Sequence, residues 1–313
     1  MFKFIVRRLI FLIPSLIALV TIVFVIVRLS PGDPAWVLLG PDATQESIAA
    51  MRDKMGLNDP YYVQYFRFMS NLARGNLGAS MVSNVPVVEE LKAALPYTLD
   101  LTLFSLVIGI LFGIPLGVSS ALRRNRLGDY VGRVISLAGI SMPSFYLGIL
   151  MMFIFSVRLG ILPVLGSAAR DNLLTRLEHL VLPGFTMGLI MISYIMRMTR
   201  STMLNVLNED FVRTAKSKGL PEGIVIYKHA LLNALIPLVS LLGIYFISLL
   251  GSSLMVEIIY SRPGLGKLMV TAMKRRDYVM LQSVMVIYGS LAMIITLLVD
   301  IAYGLIDPRI KNR

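Results

Sequence analysis

Ionisable side chains inside apolar stretches are the first candidates for chemistry, because a charge placed in hydrocarbon is costly and seldom idle. Asp300 lies in the last apolar stretch, near its end and seven residues before Asp307, on the same helical face. A proton relay or sodium site would need several such groups at mid-depth. One acid near an edge, within reach of a basic neighbour, supports an ion-coupled secondary transporter poorly. Glu257 ends the fifth apolar stretch; it fits a surface anchor or a place at an outer gate or substrate entrance. Arg197 and Arg200, three apart at the inner end of the fourth, have stems long enough to snorkel to lipid phosphates, or else they meet a partner.

Other chemistries lack their residues. The phosphate-loop pattern G-x-x-x-x-G-K-[ST] fails at Gly266-Lys267, where Ser261 replaces the first glycine and Leu268 the magnesium-binding hydroxyl. The chain is therefore expected to be no enzyme and to hydrolyse no ATP by that route. Two histidines, His179 and His229, are too few for a histidine metal cluster, and no metal site is expected. Without cysteine there is no disulfide or thiolate chemistry. No H-E-x-x-H or G-x-S-x-G nucleophile pattern occurs.

The elements that position the candidates are membrane spans. The 313 residues are 56% hydrophobic, with a mean hydropathy of +0.76, outside the range of soluble domains. Six stretches reach the roughly 17–25 residues a bilayer core requires. They run over 9–27, 99–122, 134–157, 180–196, 230–256 and 283–304, which predicts an all-α integral membrane protein. Lys3, Arg7 and Arg8 precede the first, which resembles a signal peptide but is too long and lacks a cleavage site, so it reads as a retained anchor. An even number of spans puts both termini on one side. Basic residues crowd the N-terminus, Arg123-Arg124-Asn125-Arg126, residues 201–230 and the tail, which places these in the cytoplasm, although Lys274-Arg275-Arg276 falls on the opposite side. The net charge of +12 is scattered at span ends, as lipid anchoring requires, and does not point to nucleic acid.

The chain reads as a single transmembrane domain, 1–313, with an external insertion at 30–97. Helix-like stretches at 44–55 and 60–74 predict a folded cap there. In the second span Gly109, Gly113 and Gly117 recur on one face and predict close helix packing. Pro115, Pro143, Pro183 and Pro237 interrupt backbone bonding in or near spans, as hinge-capable helices around a pathway would.

Residues 201–230 form a polar segment between two apolar spans. Leu204, Leu207, Phe211 and Ala215 recur on one helical face. Gly219, Leu220 and Pro221 then spell a left-handed glycine cap, a hydrophobic contact and a stop. A short capped helix outside the bilayer is built to be held by something else.

The run Glu209–Leu220 resembles the cytoplasmic EAA loop of the binding-protein-dependent ABC import permeases. Arg213-Thr214-Ala215 occupies the E-A-A positions and Gly219 falls at the motif's spacing; arginine at the first position is what the peptide/nickel branch shows. Leu29-Ser30-Pro31-Gly32-Asp33-Pro34, Gly56-Leu57-Asn58-Asp59-Pro60, Gly75-Asn76-Leu77-Gly78, Pro263-Gly264-Leu265-Gly266, Arg276-Asp277-Tyr278 and Asp307-Pro308-Arg309-Ile310 are similar to that branch in the same order. The resemblance implies a type I ABC importer permease fold in a bacterial or archaeal cytoplasmic membrane. It implies that Asp210, Phe211, Arg213, Thr214, Ala215, Lys218, Gly219 and Leu220 form a coupling helix docked in an ATPase cleft. The implied partners are a second homologous permease, two cytoplasmic ATPases and an external substrate-binding protein received by the 30–97 cap and the 257–282 loop. ATP and magnesium would be used by those partners, with no cofactor held here. The substrate expected is a small peptide, with glutathione or nickel as alternatives.

Overall fold

A computed structural model describes residues 2–29, 32–167 and 172–306. Ser30-Pro31 of the first family-like motif, and the Asp307-Pro308-Arg309-Ile310 ending with the basic tail, lie outside them. Every named element is helical. In order these are α1 (Phe2–Leu29), α2 (Pro34–Leu39), α3 (Gln45–Lys54), α4 (Tyr61–Ala73), α5 (Val87–Leu122), α6 (Leu127–Ser141), α7 (Ser144–Met152), α8 (Leu173–Val206), α9 (Asp210–Ser217), α10 (Leu232–Ile259), α11 (Leu265–Lys274) and α12 (Tyr278–Ile306). Wider π-helical turns at Phe153–Arg158 and Ile224–Leu231 follow α7 and precede α10.

Among the described residues, five helices are long and apolar enough to span a membrane on their own, and the pair α6–α7 supplies a sixth span if counted as one. The sequence pattern predicts one uninterrupted helix over 134–157. The structure instead begins that span at Leu127 and bends it by 105°. Pro143 explains the break. Its ring disfavours a helical residue before it, and Met142 is accordingly extended, at φ −83° and ψ 126°.

The described residues divide into two compact units, one comprising residues 98–262 and 294–306, the other the described residues of 2–97 and 263–293. In the first, α8 is the central helix, with α6, α7 and α10 packed along it. Gly109, Gly113 and Gly117 of α5 lie against Met191, Ile195 and Thr199 of α8. A Cβ on Gly117 would stand 2.7 Å from the Met196 carbonyl oxygen, so the backbones approach more closely than alanine permits. Gly184 and Gly188 of α8 return the relation against Phe104 and Ile108. Tyr260 links three elements: its hydroxyl donates to the Gly148 carbonyl at 3.0 Å and shares a 2.8 Å bond with Thr186. Burial pushes that hydroxyl up to about 12, so it stays a neutral donor.

In the second unit, Val20, Val23 and Val27 of α1 pack with Tyr278 and Val286 of α12. The first turns of α5 pack with α11 and α12 through Val87, Leu91, Leu265, Ala272 and Val284. Two of the family-like motifs meet here. Arg276 takes a left-handed φ of 51°, its guanidinium covers Gly32, and the Tyr278 hydroxyl donates to the Gly32 carbonyl at 3.2 Å. Buried Asp277 accepts from Ser80 Oγ at 2.5 Å and caps α12 through the Met280 N–H at 3.0 Å.

Candidate functional site

The segment 201–230 does not form one continuous amphipathic helix. Leu204 still belongs to α8, which ends at Val206; a turn over 207–209 follows, and α9 starts afresh at Asp210. Val212 and Ala215 are buried, at 0% and 7% exposure, and join Val118, Ala121, Met203, Val225, Ile226 and Ala230 in one cluster. Phe211 instead points outward with 41% exposure. Of the expected stripe, Leu204, Leu207 and Ala215 face this one cluster of the chain's own core, and Phe211 departs from it. Phe211 lies about 100° round α9 from Val212, so a face centred on Val212 and Ala215 leaves its ring at the edge.

The stop is local chemistry. Gly219 has φ +73°; its N–H donates to the Lys216 carbonyl at 3.0 Å and the Leu220 N–H reaches the Ala215 carbonyl at 3.5 Å. These bonds satisfy carbonyls that a helix end leaves open. Asp210, Arg213, Thr214, Lys218 and Leu220 are all on the outside. Asp210 and Arg213 approach to 3.6 Å, an exposed pair that contributes little. Ile224 and Tyr227, 42% and 61% exposed, add apolar surface from the following π-helical turn. Sequence reasoning missed them because they fall in a segment whose period is neither α-helical nor extended.

The platform of α9 is clamped by an ion pair absent from the sequence reading. Asp129, fully buried in the first turn of α6, receives Arg200 Nε at 2.6 Å and Nη2 at 2.8 Å. Ser120 Oγ donates to it at 2.5 Å and the Asn125 N–H at 3.0 Å. Arg200 therefore holds helices α5, α6 and α8 together, which corrects its reading as a phosphate-seeking or partner-facing arginine. A bidentate arginine–carboxylate pair with all its acceptors used is the arrangement in which burial of charge is tolerated.

A second polar group lies at the opposite ends of α5 and α10. Glu257 is completely buried and accepts from Thr98 Oγ1 at 2.7 Å, so it is no surface anchor. Arg262, 1% exposed, donates to the Gly166 carbonyl and stands 3.8 Å from Asp100, which also pairs with Arg176. Asp100 sits inside the stretch 99–122 and was overlooked as an ionisable residue in a span. Asp300 is partly buried near the end of α12 and engaged rather than free. The structure does not assemble Glu257 and Asp300 with other acids: among the described residues no group of three or more His, Cys, Asp or Glu could hold a metal.

With this geometry in hand, known proteins supply the context. Residues 113–312 match the family described as "Binding-protein-dependent transport system inner membrane component", and residues 1–102 match its N-terminal counterpart, "Binding-prot-dependent transport system membrane comp, N-term". The chain is 40% identical to the dipeptide transport system permease protein DppB of Alkalihalophilus pseudofirmus over 332 residues, covering 99% of this chain and 100% of that protein. It is 40% identical to the glutathione transport system permease protein GsiC of Salmonella typhimurium over 313 residues, the whole of both chains. Among solved structures, an inward-facing MetNI methionine ABC transporter superposes with a TM-score of 0.58 at 19% identity, over 71% of this chain and 98% of that one; this concerns the fold alone. The matches cover both the spans and the insertion, and the chain belongs to the family of inner membrane components of binding-protein-dependent transport systems.

Proposed function

We propose that this permease forms half of the pathway of an ATP-driven importer for small peptides and that α9 is its coupling helix. The observation that carries the coupling role is the division of α9 into two faces. Val212 and Ala215 tie it to the permease core, while Phe211, Arg213, Thr214, Lys218 and Leu220 are exposed among the described residues. An exposed phenylalanine on a helix that also exposes Arg213, Lys216 and Lys218 suits a cleft that desolvates the ring and pairs the charges at its rim. A pair of cytoplasmic ATPases would use ATP and magnesium; their closure would draw α9 and its counterpart on a second permease together. Rigid-body rocking of packed helices would then turn the pathway over. Because α9 is continuous with α8 through one tight turn, and α8 is clamped to α5 and α6 by Arg200–Asp129, a push on α9 reaches three helices at once.

In this reading both termini and residues 201–230 are cytoplasmic, as the density of basic residues favours. The 30–97 insertion lies outside, where a substrate-loaded binding protein would be received. The cluster of Glu257, Asp100 and Arg262 would stand near the outer gate. Asp300 would stand near the inner end of the pathway.

The peptide assignment rests on relatives named for a dipeptide and for glutathione, itself a tripeptide. Glutathione is the second reading, favoured by an alignment that runs through all 313 residues of both chains. Reconstitution with the ATPases, second permease and binding protein, followed by uptake of labelled dipeptide, glutathione and nickel, tests both. ATP-dependent dipeptide accumulation is the expected result. Uptake of glutathione alone would replace the substrate, and uptake of nickel alone would overturn the peptide reading. Uptake that proceeds without the ATPases would overturn the importer reading.

A further inference from the structure

Helix α4 carries an outward face that the transport reading does not use. Its inner side is apolar and engaged: Phe68, Met69 and Leu72 pack against Val20, Val23 and Val27 of α1. Tyr65 and Phe68 set their rings 5.4 and 6.3 Å from that of Phe24. Its outer side carries three rings, with Arg67 and Ser70 beside them. Tyr61, Tyr62 and Phe66 are 71%, 67% and 66% exposed. A helix cap standing in water would present polar residues there.

The depth of α4 explains the face. Tyr65 shares a 2.8 Å hydroxyl bond with Thr21. Thr21 lies eight residues before Leu29, where α1 ends, so at 1.5 Å per residue the contact is about 12 Å below the helix end. At these same levels α1 exposes Ile22, Val25, Ile26 and Leu29, at 57%, 45%, 51% and 78%. That run belongs to a stretch of 24 residues apolar enough to cross a bilayer. A helix lying against it at this depth is beside lipid, below the reach of a water-soluble protein. Interfacial helices bury their apolar face roughly 5–10 Å into the boundary between headgroups and acyl chains. Tyrosine suits that boundary because its ring is apolar and its hydroxyl polar. Two cations flank the face: Arg67, which reaches Asp59 at 2.8 Å, and exposed Arg74 at the C-terminal end.

We propose that the Tyr61–Tyr62–Phe66 face of α4 is seated in the headgroup–acyl boundary of the membrane, so that this part of the insertion is a lipid anchor rather than a docking surface for the binding protein. The substrate plays no part in the argument, and the proposal stands whether the transported molecule is a peptide or something else.

The test uses the assembled transporter in phosphatidylcholine–phosphatidylglycerol vesicles, with p-benzoylphenylalanine incorporated at Tyr62 or Phe66. Irradiation followed by mass spectrometry should find lipid adducts at both positions, in equal yield with and without the binding protein. Adducts to the binding protein or to the second permease would overturn the proposal. Because the chain has no cysteine, a nitroxide on Phe66→Cys, in partners freed of cysteine, gives a second readout. Its collisions with dissolved oxygen should exceed those with a water-soluble nickel chelate. The reverse ratio would place the face in water and overturn the proposal independently of cross-linking yield.

Discussion

Helices α9 and α4 are both short, both stand apart from the long spans and both expose aromatic side chains, yet their surroundings differ. On α9 the buried residues are small, Val212 and Ala215, and the outer face is polar or charged except for Phe211. On α4 both faces are aromatic, with Tyr65 and Phe68 inward and Tyr61, Tyr62 and Phe66 outward. A single ring among charges stays soluble until a protein cleft covers it. A row of rings beside a lipid-facing helix is covered from the start. The composition of the outer face, more than the presence of an amphipathic period, tells which medium a helix meets.

The largest test of this contrast removes the support of α9. Asp129→Asn leaves the Arg200 guanidinium buried without its counter-charge and should destabilise the permease by about 3–5 kcal/mol. Thermal unfolding of the purified protein in detergent measures it; an unchanged midpoint would mean the clamp is dispensable. Val212→Ala, which opens a cavity beneath α9 while leaving its outer face intact, should cost roughly 2 kcal/mol. Ala215→Asp acts on the same cluster, through the protein's own core before any partner. Gly219→Val forces a β-branched residue into a left-handed cap, at about 1–2 kcal/mol, and should abolish uptake and transport-stimulated ATP hydrolysis together. Retention of both activities in reconstituted membranes would remove α9 from the coupling path.

The sharpest discrimination comes from the smallest changes in stability. Phe211→Ser and Phe66→Ser each alter an exposed ring, and each should leave stability within about 0.5 kcal/mol. Phe211→Ser should nevertheless lose coupled ATP hydrolysis and uptake, whereas Phe66→Ser should retain both and weaken only the insertion's contact with lipid. Equal behaviour of the two variants in an uptake assay would erase the distinction between the helices.

Much of the fold was legible because its signals are local. Apolar stretches of bilayer length, the helices at Gln45–Lys54 and Tyr61–Ala73 and the left-handed Gly219 all follow from runs of fewer than forty residues. The glycines 109, 113 and 117 announced a close approach, but not that Met191, Ile195 and Thr199 would fill it. Where a short break intervened, the local period misled. Helix α9 seats itself on Val212 and Ala215 and leaves Phe211 at the edge of that face, and Pro143 divided a span that hydropathy read as continuous.

By itself the sequence determined the family, the helical class and the position of α9, because periodicity, caps and motif spacing are properties of neighbouring residues. Only the tertiary structure decided which charges meet. Asp129 finds Arg200 across 71 residues and Glu257 finds Thr98 across 159. It also decided which side of a helix remains uncovered. The depth of α4 rests on Tyr65 reaching Thr21, 44 residues away. Such pairings depend on how helices pack, and helix packing is set by the joint shape of surfaces that no single stretch of sequence contains.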